Sequence, residues 1–319
     1  MSDSRKRSRR SSGSDSEEDS ATISERAISG ALVNRAVPVR TVETPKYPTQ
    51  LFRLHTLAAF FGPRGSGKTN GAVLLARKYL DYGSFTRVYI ISPTYESNPC
   101  FEVLDAAPED VYTDLGTILA SIDDIVKKIE SEAEEYRDEM EYTDMYNKLA
   151  AGKVINDVEQ IRLEREGYRE PVPMDKPYPL IIIDDCSHSQ IYSTSRSNPF
   201  VNLCLRHRHI GGEGFGCSIF MLVQNFKTGV PKPIRQNLQQ FFIWRSADRS
   251  QLEAMWEEFA NLIDLPNFVR IYHLATDADK HDFLTVDMNP TKDEIGHFRR
   301  NFDTALFMAD PQAAVRGAV

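Results

Sequence analysis

Beyond about residue 50 the chain alternates short, wholly apolar runs with stretches of helical periodicity. Residues 54–61 (LHTLAAFF) end at a glycine and predict a buried strand. Residues 70–83 (NGAVLLARKYLDYG) are apolar at helical spacing and stop at glycine, and residues 87–94 (RVYIISPT) predict a second buried strand. Strand, glycine-rich loop, helix and strand in that order make a parallel βαβ unit. Residues 116–170 differ. Ile118, Ile122, Ile125, Ile129, Ala133, Tyr136 and Met140 fall at steps of three and four, one apolar stripe on a long helix. Its other faces are acidic, with nine acids against three bases between Ser121 and Tyr142. That pattern fits a solvated helix laying one stripe on the core, or an inserted arm at a subunit contact. A proline-rich return (169–179) leads to apolar runs at 180–186, 217–225 and 239–246, each a predicted buried strand. A helix is expected over 250–263, and residues 268–288 read as two strands around a polar turn, an edge hairpin. No internal repeat is present. The predicted fold is α/β: a three-layer sandwich with a mostly parallel central sheet, an inserted acidic helical region and a C-terminal β-hairpin.

Composition divides the chain. Residues 1–30 are dominated by serine and charge, with little to bury, and predict a disordered tail. Within it a basic block (RKRSRR, residues 5–10) reads as a nuclear-localisation signal, a nucleic-acid arm or a solubilising tail; an acidic block with serines (SDSEEDS, residues 14–20) offers phosphorylation sites. Together they point to a eukaryotic cell. Residues 45–310 form the expected globular domain, with the helical insertion at 116–170. The 319 residues, 41% hydrophobic and 26% charged, suffice for a sizeable core. A net charge of −8 argues against broad coating by nucleic acid, though not against a basic channel inside an acidic shell. The four cysteines, Cys100, Cys186, Cys204 and Cys217, show neither C-x-x-C pairing nor zinc spacing and are expected to be reduced thiols. No apolar signal region and no membrane-length run is present, so neither a secreted nor a membrane-spanning chain is predicted.

The chemistry begins between the first strand and its helix. Gly62, Pro63, Arg64, Gly65, Ser66, Gly67, Lys68 and Thr69 satisfy G-x-x-x-x-G-K-[ST], with Asn70 next. Glycines let successive backbone N–H groups turn toward an anion, and the helix that follows adds its positive end. Lys68 is expected on the β- and γ-phosphates and the Thr69 hydroxyl on Mg²⁺. The run ending in Asp184 and Asp185 places two carboxylates at the C-terminal edge of the sheet. Asp184 is expected to hold Mg²⁺ through water, and Asp185 to orient or deprotonate an attacking water. Gln224 closes the next strand, where a carboxamide can contact the γ-phosphate or that water. The spacing from Lys68 to Asp184 leaves room for one strand between their own. One lysine and one metal leave the transition state short of positive charge, which an arginine from a neighbouring subunit can complete. Arg206, Arg208, Arg235 and Arg245 are candidates, with Arg208 the first choice. Lys227, Lys232 and Arg235 are candidate DNA contacts.

These residues, in this order (GPRGSGKT, LIIIDD, Arg208-His209, and IFMLVQN ending in Gln224), resemble the FtsK–HerA superfamily of P-loop NTPases, a RecA/ASCE-like group. Within it they look most like the genome-packaging ATPases of large eukaryotic DNA viruses, poxviruses and virophages among them. The resemblance covers roughly residues 50–290; between Arg208-His209 and the fourth strand this chain has IGGEGFG. It implies a homo-oligomeric ring, a hexamer or pentamer, that uses ATP and Mg²⁺ to drive double-stranded DNA into a capsid. Capsid proteins would be partners, and the host nucleus, a cytoplasmic viral factory or the virion would be the setting. No arginine-rich nucleoside-kinase lid and no N-K-x-D guanine motif is present, so water is the expected phosphoryl acceptor. A helicase-type ATPase and a nucleotide-gated capsid-assembly scaffold are the alternatives.

Overall fold

A computed structural model describes residues 45–187, 189–195, 197–246, 249–292 and 295–308. The expected tail, with its basic and acidic blocks, lies outside the described residues, which all belong to one compact unit, Val42–Val319. The elements in chain order are β1 (Leu57–Phe61), α1 (Lys68–Asp81), β2 (Arg87–Ile91), β3 (Val111–Tyr112), α2 (Ile118–Ala150), α3 (Asp157–Arg165), β4 (Pro179–Ile183), α4 (Pro199–Arg206), β5 (Ser218–Val223), α5 (Phe226–Gly229), α6 (Lys232–Arg235), β6 (Gln240–Trp244), α7 (Arg249–Trp256), α8 (Leu265–Thr276), β7 (Phe283–Asp287), β8 (Phe298–Arg300) and β9 (Thr304–Leu306).

The strands form one sheet in the order β3-β2-β4-β5-β1-β6-β7-β8-β9. From β3 to β6 all pairings are parallel, and β7, β8 and β9 add antiparallel at one edge. Strands β1, β4, β5 and β6 are buried along their whole length, which is why they read as continuous apolar runs rather than alternating ones. Period-two geometry sends Leu57, Ala59 and Phe61 to one face, where they meet the stripe of α2 together with α4 and α8. Ala58 and Phe60 go to the other, against Ala72, Val73, Ala76 and Tyr79 of α1. The three-layer sandwich is therefore present. One strand, β5, does lie between β1 and β4.

Three boundaries differ from expectation. Residues 268–276 are helix α8, not the first strand of a hairpin. Phe268, Ile271, Tyr272 and Ala275 are buried at helical spacing, and the Asp264 side chain caps the helix by accepting from the Asn267 N–H at 2.9 Å. The C-terminal hairpin is made instead by β8 and β9. The long helix that carries the stripe is α2, and the rest of the 116–170 region adds a second helix, α3, after residues 151–156. The α2 stripe is buried from Ile118 to Ala133, whereas Tyr136 and Met140 are only half-buried. Past that point ion pairs take over: Arg169 grips Glu139 at 2.9 and 2.5 Å, and Arg162 meets Glu141 at 2.9 Å. The helix expected over 250–263 stops at Trp256, where turns follow. Cys186, Cys204 and Cys217 are buried free thiols, and Cys100 is a half-buried one. Among the described residues no helix is long and apolar enough to cross a membrane.

Candidate nucleotide site

The predicted phosphate loop occupies the turn between β1 and α1, at the C-terminal edge of the sheet. Gly65 (φ 77°) and Gly67 (φ 99°) sit in the left-handed region, which turns the chain so that α1 begins directly at Lys68. Gly62 is pressed from below: a Cβ there would lie 2.7 Å from Trp244 Cβ and 2.8 Å from Ser66 Oγ. No side chain caps the N-terminus of α1, so its first N–H groups remain available to an anion. The Ser66 hydroxyl is buried without a hydrogen-bond partner. Lys68 is only 8% exposed, and its ammonium donates to Pro63 O at 2.9 Å. Burial pushes its pKa down, against the opposing pull of Asp184 and Asp185.

The acidic pair stands where predicted, after β4. The Thr69 hydroxyl donates to Asp184 Oδ2 at 2.9 Å, tying the start of α1 to the neighbouring-but-one strand. Burial pushes the Asp184 carboxyl up to about 6; the Thr69 hydrogen bond opposes the shift and the Asp185 charge adds to it. Asp185 is exposed and adopts φ 54°, a left-handed conformation uncommon for a non-glycine residue and concentrated at functional sites. From the end of β5, Gln224 Nε2 approaches Asp185 Oδ1 at 3.5 Å. Lys68, Thr69, Asp184, Asp185 and Gln224 thus form one cluster, drawn from β1–α1, β4 and β5. A buried ammonium with one carbonyl partner, an orphaned Ser66 hydroxyl and an uncapped helix end fit a polyphosphate. The Thr69 hydroxyl and the two carboxylates are hard oxygen donors of the kind Mg²⁺ takes.

Beside the loop lies a cavity of about 660 Å³ that the sequence did not reveal. Trp244, His281, Phe302 and Asn301 line it, opposite Gly67, Asn70 and Gly71. Trp244 Nε1 donates to His281 O at 2.9 Å, and His281 Nδ1 lies 3.2 Å from Ser66 O, so this wall is tied to the phosphate loop. The residues come from α1, β6 and the loops flanking β7 and β8, and no local motif marks them.

The arginines distribute differently. Arg208 is not near the phosphate loop of its own chain; with Arg53, His55 and Gln239 it lines a cavity at the opposite edge of the sheet. Any contact between Arg208 and a γ-phosphate therefore needs a second subunit. Arg206 pairs with Glu130 at 3.2 Å and Arg245 with Asp277 at 3.4 Å. Among the expected DNA contacts, Lys227 and Lys232 are exposed. Arg235 is not presented to solvent in that way: its side chain is 15% exposed, paired with Glu258 at 3.6 Å and stacked over Phe226 at 5.0 Å. Arg64, within the loop, is exposed.

No family model matches the sequence, and no match is found among curated proteins. Solved structures resemble the fold. EssC (ATPases 2 and 3) from Geobacillus thermodenitrificans is 13% identical with a TM-score of 0.44, over 82% of this chain and 42% of that one. The pCW3 conjugation coupling protein TcpA is 13% identical with a TM-score of 0.41, over 83% of this chain and 65% of that one. This chain therefore spans less than two thirds of either. The genome packaging NTPase B204 from Sulfolobus turreted icosahedral virus 2, in complex with ATP-gammaS, is 11% identical with a TM-score of 0.41, over 79% of this chain and 98% of that one.

Proposed function

We propose that this chain is an ATPase of the FtsK–HerA type that drives double-stranded DNA, in the manner of a viral genome-packaging motor. The observation that carries the nucleotide reading is the convergence of Lys68, the Thr69–Asp184 hydrogen bond and the Asp185–Gln224 contact at one sheet edge. The loop N–H groups and the Lys68 ammonium bind and orient the phosphates. Thr69 and Asp184 would hold Mg²⁺, which would supply positive charge to the phosphates. Asp185, exposed at the rim, takes the proton of the attacking water. Gln224, within reach of Asp185, reports γ-phosphate loss by moving with the loop after β5. Packaging is the role named for the Sulfolobus virus NTPase, and the order of motifs carries it to this chain. Arg208 remains the first choice for an arginine supplied in trans, which it could supply only across a subunit contact of a ring. Exposed Lys227 and Lys232 remain the DNA contacts proposed for the pore.

The test is ATP hydrolysis across a range of protein concentrations, with and without duplex DNA. Specific activity that rises with concentration and with duplex supports a motor with shared sites. Activity independent of both contradicts it, and a preference for single strands points to a helicase.

A further inference from the structure

We infer that the basic cavity at the N-terminal edge of the sheet is a second phosphate-binding site, separate from the phosphate loop. The cavity, about 380 Å³, is lined by Arg53, Leu54, His55, Arg208, His209, Gln239 and Asn289. Its position follows from the topology. Arg53 and His55 precede β1, Arg208 and His209 precede β5, Gln239 precedes β6, and Asn289 follows the antiparallel β7. All these ends lie at the edge opposite Gly62–Lys68, a strand length of about 16 Å away.

Three features make it a site for an anion. First, Arg53 and Arg208 have no ion-pair partner among the described residues, and no carboxylate among them lines the cavity. The carboxylate of Asp287, close in sequence to Asn289, is fully buried; it accepts from Gln240 Nε2 and from the Asn289 N–H, both at 3.1 Å. Second, His55 is 6% exposed and both its ring nitrogens are buried without a hydrogen-bond partner. The ring has little freedom to find one, because it rests on the backbone of Gly216, where a Cβ would fall 2.6 Å from His55 Cδ2, and packs 5.7 Å from the Tyr178 ring. Third, Gln239 Oε1 accepts from the Leu57 N–H at 3.0 Å, which fixes the carboxamide at the cavity wall. Burial, with the charges of His207, Lys176 and Arg208 adding, pushes the His55 pKa down to about 3, so the imidazole is neutral and offers one N–H.

A phosphate group matches this wall: two guanidinium forks for its charge, with the His55 ring beside them as a reporter of occupancy. The source is either a free phosphate or the backbone of a polynucleotide. The experiment uses the full chain carrying Lys68→Ala, which weakens anion binding at the phosphate loop, so that the comparison at Arg53 and Arg208 reads the cavity whatever the fate of the ATPase reading. In one arm inorganic phosphate is titrated while the His55 ring resonances are followed by NMR. In the other a random-sequence duplex is bound across a range of salt concentrations. Both are repeated with Arg53→Ala/Arg208→Ala added, two exposed positions at which the thermal midpoint checks the fold. We expect phosphate to shift the His55 ring and its affinity to fall about tenfold or more in the double variant. If the polynucleotide is the source, the salt slope of duplex binding also falls by about 2. A response to phosphate alone assigns the site to a free phosphate. Overturning the inference requires a folded double variant in which neither phosphate nor duplex binding changes.

Discussion

Replacing Lys68 by methionine separates a residue held for a ligand from one that holds the fold. The side chain is 8% exposed and its ammonium has one partner, Pro63 O at 2.9 Å. Losing a hydrogen bond from a charged group costs about 1.5–3 kcal/mol. Removing a poorly solvated charge returns a desolvation penalty of comparable size, several kcal/mol. The two offset, so the free protein's melting midpoint is expected to stay within about 4 °C of native. Nucleotide changes the balance. At about a hundredfold excess of ligand over Kd, the native protein gains ~2.7 kcal/mol, or roughly 5–11 °C for a domain of this size. Loss of one charge-assisted bond to phosphate raises Kd by about 13- to 160-fold, which leaves roughly 0.3–1.3 kcal/mol of that gain, or about 1–5 °C. Thermal denaturation of both proteins, with and without ATP and Mg²⁺, measures all four midpoints. An undiminished nucleotide shift in Lys68→Met refutes the assignment of the loop. A collapse of the free protein by more than about 10 °C shows instead that Lys68 is a structural ion-pair member.

Two further perturbations test the frame around the site. His55 has its folded pKa pushed down to about 3 from 6.5, so between those values the unfolded chain binds the extra proton. Stability therefore falls as pH drops through that window and is fully restored above 6.5, with a loss of about 2 kcal/mol at pH 5. Denaturant melts of native and His55→Leu in phosphate-free buffer, from pH 4.5 to 7.5, are expected to show a flatter profile for the variant; parallel profiles count against a neutral buried imidazole. Asp110 is 1% exposed and holds Arg87 at 2.6 and 2.8 Å, with Lys128 at 3.3 Å. Asp110→Ala leaves Arg87 with Glu132 and Lys128 with Asp124 but removes the buried charge-assisted bonds that join them, and is expected to cost about 1.5–3 kcal/mol, a drop of roughly 3–12 °C in midpoint. A variant that melts within a degree of native contradicts that role.

The parts of this molecule that were legible in its sequence are those where chemistry fixes the spacing. The phosphate loop, the strand ending in Asp184 and Asp185, and Gln224 at the end of β5 each follow a buried apolar run, and the parallel sheet brings their ends to one edge. Helix α8 was read as a strand because its aromatic and β-branched residues favour that state, although Phe268, Ile271, Tyr272 and Ala275 carry helical spacing and Asp264 supplies a cap. The cavity of Trp244, His281 and Phe302 had no local signal, because three separated segments contribute one wall each. Arg235 looked like a pore lysine's neighbour in sequence; its partner Glu258, on a different element, turns it inward. Pairings between distant side chains decide such roles, and no periodicity encodes them.

In the proposed mechanism Asp185 activates water against a nucleotide held by Lys68 and Thr69. Steady-state ATP hydrolysis by Asp185→Asn, with nucleotide binding measured on the same sample, tests it most directly. Binding is expected to stay close to native while turnover falls by about 10²–10⁴, the contribution of a general base, both with and without duplex DNA. Native turnover in that variant would contradict it.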